Sequence, residues 1–185
     1  MADSADKEVF IDPAIQHTWA MGSRIEAIVF DRADRPPCVP AGFTAVRLTS
    51  ELSMLPITED QVKRLDPAST GDDRIPTEWM LQQPVAALAR SVSADRAVVY
   101  ICSETFAGEG TKEAIAWRFG KLLYGPAGTV DIENDLELGY HLAPGHNNAV
   151  NSGLRAIGVR AAADDDEYGT IGLERHRHTE DWLRN

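Results

Sequence analysis

A short segment, residues 96–102, is the strongest constraint on the fold because both of its faces are apolar. In an extended strand, successive side chains point to opposite sides of the sheet. The two resulting sets contain no charged side chain: Ala97, Val99 and Ile101, and Val98, Tyr100 and Cys102. Such a strand has to be covered by other parts of the chain on both sides. The segment therefore predicts the central strand of a sheet with two packed faces.

A β-hairpin is predicted over residues 113–124, with a two-residue turn at Phe119 and Gly120. The predicted pairs are Arg118 with Lys121, Trp117 with Leu122, and Ile115 with Tyr124. The apolar members of these pairs would share one face, as the register of a hairpin requires. Phe119 tolerates the positive φ of a primed turn poorly, so a slightly longer loop is the alternative. Gly125-Pro126 would end the hairpin.

Weaker patterns complete the predicted secondary structure. Residues 24–30 and 43–48 are predicted as strands, and residues 58–65, 75–93, 147–158 and 179–182 as helical. The predicted caps are Thr58 in a capping box with Gln61, Asn147 or Asn148 for the third helix, and Thr179 for the last turn. Pro84 would kink or restart the helix over 75–93.

These elements predict a single α+β domain over residues 10–185, an antiparallel sheet with a central hairpin and helices packed on it. Residues 1–9 are small and charged and are predicted to be a disordered tail. Trp182 lies three residues from the C-terminus. We expect its large apolar side chain to dock on the main body and to fix the end of the chain.

The net charge of the chain limits the kinds of partner that it can bind. The chain has 29 acidic and 18 basic residues, which gives a formal net charge of -11. This balance opposes binding to nucleic acid and to an anionic membrane surface, and it favours a basic protein partner. The most acidic run, Asp164, Asp165, Asp166 and Glu167, is the candidate partner-binding segment. The alternative is that the negative charge only keeps the protein in solution.

A histidine pair near the C-terminus is the candidate metal site. His176 and His178 are two residues apart, so on a strand they would point to one side, and His146, or alternatively His141, would supply a third ligand. This set would suit a transition metal such as zinc in a metal-dependent hydrolase. The alternative is a solvated, ion-paired surface formed with the neighbouring Glu174, Arg175 and Arg177.

The remaining sequence features indicate a cytoplasmic protein without a cofactor. Cys38 and Cys102 are the two cysteines, too few for a disulfide scaffold, and reduced thiols are the simplest interpretation. Cys102 and Ser103 lie at the end of a buried strand, a common position for a nucleophile, but no base can be assigned to them from spacing. The N-terminus lacks the pattern of a signal peptide. The longest apolar run, about six residues, is far short of the roughly 20 that cross a bilayer.

Three segments carry a resemblance to other proteins: residues 116–122 (AWRFGKL), Gly125-Pro126, and residues 172–182 (GLERHRHTEDW). On these segments the chain resembles a group of uncharacterised small acidic bacterial proteins. Proteins of this general type are similar to immunity proteins, which inhibit a toxin by binding it. The net charge of -11, together with the absence of a catalytic signature, predicts a non-enzymatic binding protein, and the resemblance adds that it is immunity-like. The alternatives are the metal-dependent hydrolase and a small-molecule sensor with a pocket between the sheet and the tail.

Overall fold

The computed structural model describes residues 22–31, 37–49, 51–106, 109–130, 141–142 and 148–184. The predicted tail over residues 1–9 lies outside these ranges. The described strands are β1 (Ser23–Asp31), β2 (Val46–Arg47), β3 (Leu52–Pro56), β4 (Ala97–Phe106), β5 (Glu109–Arg118), β6 (Lys121–Val130) and β7 (His141–Leu142). They form one sheet in the order β2-β3-β1-β4-β5-β6-β7. The first six strands pair antiparallel, and the short β7 runs parallel to β6.

Helices pack on both faces of this sheet. The described α-helices are α1 (Glu59–Val62), α2 (Gln83–Val92), α3 (Ala149–Ala156) and α4 (Glu167–Thr170), followed by two 3₁₀ turns, Leu173–Arg175 and Thr179–Leu183. The predicted α+β class is therefore confirmed. None of these helices has the length and apolar composition that crossing a membrane requires.

The central strand explains this three-layer arrangement. β4 lies between β1 and β5, and residues 97–102 are completely buried. Val98, Tyr100 and Cys102 belong to one apolar cluster, which includes α2, and the alternate residues belong to a second cluster, which includes α3. The prediction of a central strand with two packed faces is confirmed. Burying apolar surface on both sides of β4 is the main favourable contribution to the stability of this fold.

Close approach of α3 to the sheet depends on a glycine. A Cβ atom built at Gly153 would lie 2.9 Å from Ala114 Cβ and 2.9 Å from Val99 Cγ2. Any larger residue would therefore force the helix away from β4 and β5. Asn148 caps this helix by accepting a hydrogen bond from the N–H of Asn151, and Gly158 follows its end with φ 102°. The cap predicted at Asn147 or Asn148 is confirmed at Asn148.

The hairpin prediction is correct at its turn and wrong further along β6. Phe119 and Gly120 form the two-residue turn with φ values of 53° and 70°, and Arg118 and Trp117 pair as predicted. Tyr124, however, pairs with Ala116 instead of Ile115 because the register shifts along β6. An extra residue in one strand moves the side chains that follow to the other face. Tyr124 therefore packs in the α3 cluster, and β6 continues beyond Gly125-Pro126 to Val130.

Other boundaries also differ from the predictions. The strand predicted over 24–30 is confirmed within β1, whereas the one predicted over 43–48 is only the two-residue β2. β3 was not predicted, because it has only five residues and ends at Pro56, a residue type that rarely lies within a strand. The capping box of Thr58 and Gln61 is confirmed at α1. The helix predicted over 75–93 begins only at Gln83, with Pro84 in its first turn, as the restart at that proline predicted.

Candidate functional site

Three titratable side chains form a row across one face of the sheet. Glu26 of β1 is directly opposite Cys102 of β4, which is directly opposite Glu113 of β5. Directly opposed residues point to the same face, so these side chains lie next to one another at the end of the α2 cluster. All three are buried. Two carboxyl groups buried so close together require compensating hydrogen bonds.

The carboxylate of Glu113 is bonded to backbone. It accepts hydrogen bonds from the N–H of Met80 at 3.0 and 3.1 Å and from the N–H of Leu81 at 3.4 Å. These amide groups are directed to Glu113 rather than to helix carbonyls, which explains why no helix forms before Gln83. Glu113 is only 1% exposed. Its role is therefore to hold this loop against the sheet.

Glu26 is bonded to side chains instead. The Tyr100 hydroxyl donates to Oε1 at 3.0 Å, and the Arg24 guanidinium donates to Oε2 at 2.9 Å. The Arg24 side chain is 46% exposed and that of Glu26 only 8%, so the ion pair connects the interior to solvent. Burial raises the pKa of Glu26, an effect that the bonds from Arg24 and Tyr100 oppose and the nearby Glu113 charge reinforces.

Tyr100 and Cys102, which lie near Glu26 on the same face of the sheet, keep their protons. Burial holds the pKa of Tyr100 and that of Cys102 well above their usual values, and the charge of Glu26 adds to the effect. Tyr100 is therefore a hydrogen-bond donor and Cys102 a neutral thiol near pH 7. These surroundings favour a structural rather than a nucleophilic Cys102, since only the thiolate attacks.

The C-terminal tail, residues 172–184, closes the site and is anchored by Trp182. Trp182 is buried and packs in the α3 cluster together with Leu173. Its ring also makes an edge-on contact with His176, with ring centroids 4.6 Å apart. The predicted docking of Trp182 on the main body is confirmed, and it positions the residues between these anchors against β1.

The backbone of β1 explains why the tail binds where it does. β3 pairs with β1 only from Ala27 onward. The Glu26 carbonyl still accepts from the N–H of Ile57 at 2.8 Å, but the N–H of Glu26 and the backbone groups of Arg24 have no partner from β3. The N–H of Arg24 donates to the carbonyl of Arg177 at 2.8 Å. The hydroxyl of Thr179 accepts from the N–H of Glu26 at 2.9 Å and lies 3.2 Å from the carbonyl oxygen of Arg24. The tail thus takes the place of a strand.

The same contacts correct the prediction that Thr179 caps the last turn. His178 occupies the position before that turn, and the Thr179 side chain bonds to β1.

A cavity of about 370 Å³ lies between β1, α1 and the tail. We call it the acidic cavity because three carboxylates line it: Glu26, Glu59 and Glu180. The facing basic side chains are Arg24, which is already paired with Glu26, and His178. Glu59 also pairs with Lys63 at 2.8 Å. The walls therefore offer more negative than positive charge to an occupant.

The structure places the two candidate ligands of the tail apart from each other. His178 lines the acidic cavity, whereas His176 lines a separate cavity with Trp182. His146 lies outside the described residues. Within the described ranges, no group of three or more His, Cys, Asp or Glu side chains is arranged to hold a metal ion. The zinc alternative therefore stays a prediction that depends on His146 or His141.

The candidate partner-binding run divides into exposed and structural residues. Asp164 and Asp165 are exposed. Asp166 caps α4 by accepting from the N–H of Gly169 at 2.8 Å, and its other oxygen accepts from Asn151 at 2.9 Å. Glu167 is buried and paired with Arg155 at 3.0 Å. Asp166 and Glu167 are thus held within the fold, which leaves Asp164 and Asp165 to face a partner. Asp165 is exposed although its Oδ1 accepts from the N–H of Asp166 at 2.8 Å.

Sequence reasoning did not find Glu26, Arg24 and Tyr100 as site residues. A usable signal was present: Glu26 is the one charged residue within the apolar run 25–30. A charged group within a buried strand needs a partner or an opening to solvent, and Glu26 has both. The contribution of the tail could not be found in this way, because it depends on where β3 ends.

No family model matches the chain, and no significant match was found among curated proteins or solved structures. The resemblance to small acidic immunity-like proteins therefore stays a prediction.

Proposed function

We propose that this protein is a non-enzymatic binding protein whose acidic cavity receives a basic side chain, Lys or Arg, from a protein partner. The observation that carries the proposal is the buried carboxylate of Glu26 at a cavity with an excess of negative charge. A charged group in such surroundings interacts strongly with an ion of opposite sign, because water screens it little.

Glu26 retains the capacity to bind such a group. An ionised carboxylate offers about four acceptor positions. Arg24 and Tyr100 occupy one position on each oxygen. A second ammonium or guanidinium group can donate to the remaining positions, and Glu59 and Glu180 would add to its attraction. Burial makes ionisation of Glu26 unfavourable, so a bound cation would relieve a cost already present in the free protein.

The charge of the whole molecule supports a basic protein as the source of this side chain. The net charge of -11 would speed the encounter with a positively charged surface. Asp164 and Asp165 are exposed and would contribute to this long-range attraction. Inhibition of a basic toxin by direct binding, as in immunity proteins, is the form of this function that we favour.

An affinity capture with matched variants tests the proposal. The wild-type protein, Glu26→Gln and Glu174→Gln are immobilised and exposed to lysate of the native source at moderate salt. Glu174 is exposed and lines neither of the two cavities beside the tail, so its variant carries the same change of charge outside the site. We expect a stoichiometric basic protein to bind the wild type and Glu174→Gln. Binding to Glu26→Gln should be at least about tenfold weaker, as for loss of a charged hydrogen bond.

Equal capture of that protein by Glu26→Gln, or recovery of chaperones alone, would contradict the proposal.

A small-molecule sensor is the second candidate, and the position of the acidic cavity between the sheet and the tail favours it. Its ligand would carry an amine or guanidinium group. Such a ligand would raise the unfolding temperature of the wild type in a concentration-dependent way, and that of Glu26→Gln much less. A thermal-shift series with small amines separates the two candidates by affinity, because an isolated basic group lacks the rest of a partner's interface and should raise the unfolding temperature only at high concentration.

A further inference from the structure

A second cavity, of about 450 Å³, lies between residues 42–47, which end with β2, and the tail. Its charged lining residues are Arg47 and Arg175, next to the imidazole of His176, and no Asp or Glu lines it among the described residues. We call it the basic cavity. Its lining has the opposite charge to that of a chain with a net charge of -11.

Both arginines are held in place by backbone carbonyl groups. Nε of Arg175 donates to the Gly172 carbonyl at 2.8 Å, and one of its terminal nitrogens donates to the Leu48 carbonyl at 3.2 Å. The same guanidinium lies over the ring of Trp182, 5.0 Å from its centroid. Nε of Arg47 donates to the carbonyl of Thr49 at 3.0 Å. These contacts restrict both side chains before any ligand arrives.

The arginines keep donors for a ligand. A guanidinium has five N–H groups, and the carbonyl bonds use only some of them. Neither Arg47 nor Arg175 forms an ion pair with a described residue, in contrast to Arg24, Arg74 and Arg155. Two guanidinium groups without a carboxylate between them repel each other, and an anion placed between them removes this repulsion.

We propose that the basic cavity binds a small organic anion, a carboxylate or phosphate group carried on an apolar body. The anionic group is held by Arg47 and Arg175, and the apolar body packs against Val46 and Leu183, which also line the cavity. A volume of about 450 Å³ lies within the range of pockets for small molecules. This site is separate from the acidic cavity and does not depend on the function proposed for it.

Calorimetric titration with defined probes tests the proposal. Benzoate and phenyl phosphate present the two anionic groups on an apolar ring, benzamide is a neutral analogue, and inorganic phosphate lacks the ring. We expect saturable binding of at least one of the two aromatic anions, weaker binding of inorganic phosphate, and none of benzamide. Arg47→Gln and Arg175→Gln should each weaken that binding at least about tenfold, as for a lost charge-assisted hydrogen bond.

Arg177→Gln is the matched control. Arg177 is an exposed arginine of the same tail that lines neither of the two cavities, so this variant should bind within about twofold of wild type if only long-range charge is lost. Arg175 also helps to hold the tail, and Arg47→Gln decides the outcome if Arg175→Gln is unstable. Absence of saturable binding, equal binding of benzamide, or an equal loss in Arg177→Gln would overturn the proposal.

Discussion

The two cavities beside the C-terminal tail have opposite charge and are built in different ways. In the acidic cavity, the central carboxylate of Glu26 is buried and bonded to Tyr100 and Arg24 inside the sheet. In the basic cavity, Arg47 and Arg175 are exposed and bonded to backbone carbonyls of loops. A buried charge has to be compensated by the groups around it, so its removal changes the free energy of unfolding. An exposed charge contributes little to that free energy. Binding and stability should therefore be coupled at the first cavity and separable at the second.

The largest effect on stability is expected for Trp182, because both cavities depend on this residue. Trp182 packs in the α3 cluster and fixes the tail segments that line both cavities. Trp182→Ala should lower the free energy of unfolding by about 3–5 kcal/mol, the usual cost of removing a buried aromatic side chain. Urea denaturation measures this change, and Trp182→Phe, which retains most of the apolar volume, should lose much less. A loss below about 1 kcal/mol would mean that the tail is not an integral part of the fold.

A smaller loss is expected at the acidic cavity alone. Glu26→Ala leaves the hydroxyl of the buried Tyr100 without its acceptor. We expect a decrease of about 1–3 kcal/mol in the free energy of unfolding, the cost of an unsatisfied buried polar group. The exposed Glu174→Gln should change it by less than about 0.5 kcal/mol. If urea denaturation gave equal losses for the two variants, the buried carboxylate of Glu26 would contribute no more to stability than the exposed one of Glu174.

The pH dependence of stability sharpens the comparison further. Because burial raises the pKa of Glu26 above its ordinary value of 4.5, the folded protein binds this proton more tightly than the unfolded chain. Ionisation of Glu26 therefore costs stability as the pH rises from 4.5 through the folded pKa.

Asp72 behaves in the opposite way, since the hydrogen bond from Arg74 lowers its pKa below 3.8. Its contribution is present above 3.8 and is lost as the pH falls through the folded pKa.

Unfolding free energies of the wild type, Glu26→Gln and Asp72→Asn against pH check these signs. The wild type should gain stability relative to Glu26→Gln as the pH falls toward 4.5. It should lose stability relative to Asp72→Asn as the pH falls below 3.8. Parallel curves for the wild type and Glu26→Gln would show that Glu26 titrates alike in both states.

The smallest effect on stability is expected at the basic cavity. Arg47 is exposed and makes one hydrogen bond to a nearby backbone carbonyl. Arg47→Gln should change the free energy of unfolding by less than about 0.5 kcal/mol, as most surface substitutions do, although it should strongly weaken binding of an organic anion. A loss above about 1 kcal/mol in urea denaturation would show that this arginine supports the fold.

The sequence allowed the layers of the fold to be predicted but not the site. The unbroken apolar run 97–102 indicates burial on both faces, since successive side chains of a strand point to opposite sides. The predicted pairing of Tyr124 is wrong because a register shift in the hairpin turns the side chains that follow it to the other face. Glu26 and Thr179 are 153 positions apart in the chain, and no local pattern relates them. Their contact follows from the point at which β3 ends, which is a property of the assembled sheet.

Carboxyl ¹³C NMR of Glu26 tests the central claim most directly. The pKa of this group is measured alone, with N-acetyl-arginine amide, and with N-acetyl-citrulline amide at matched ionic strength. The arginine derivative should lower the pKa of Glu26, because a cation in the cavity stabilises the ionised form, and the neutral citrulline derivative should leave it unchanged. An identical Glu26 pKa in all three titrations would contradict the account, since the cavity would then not receive a basic group.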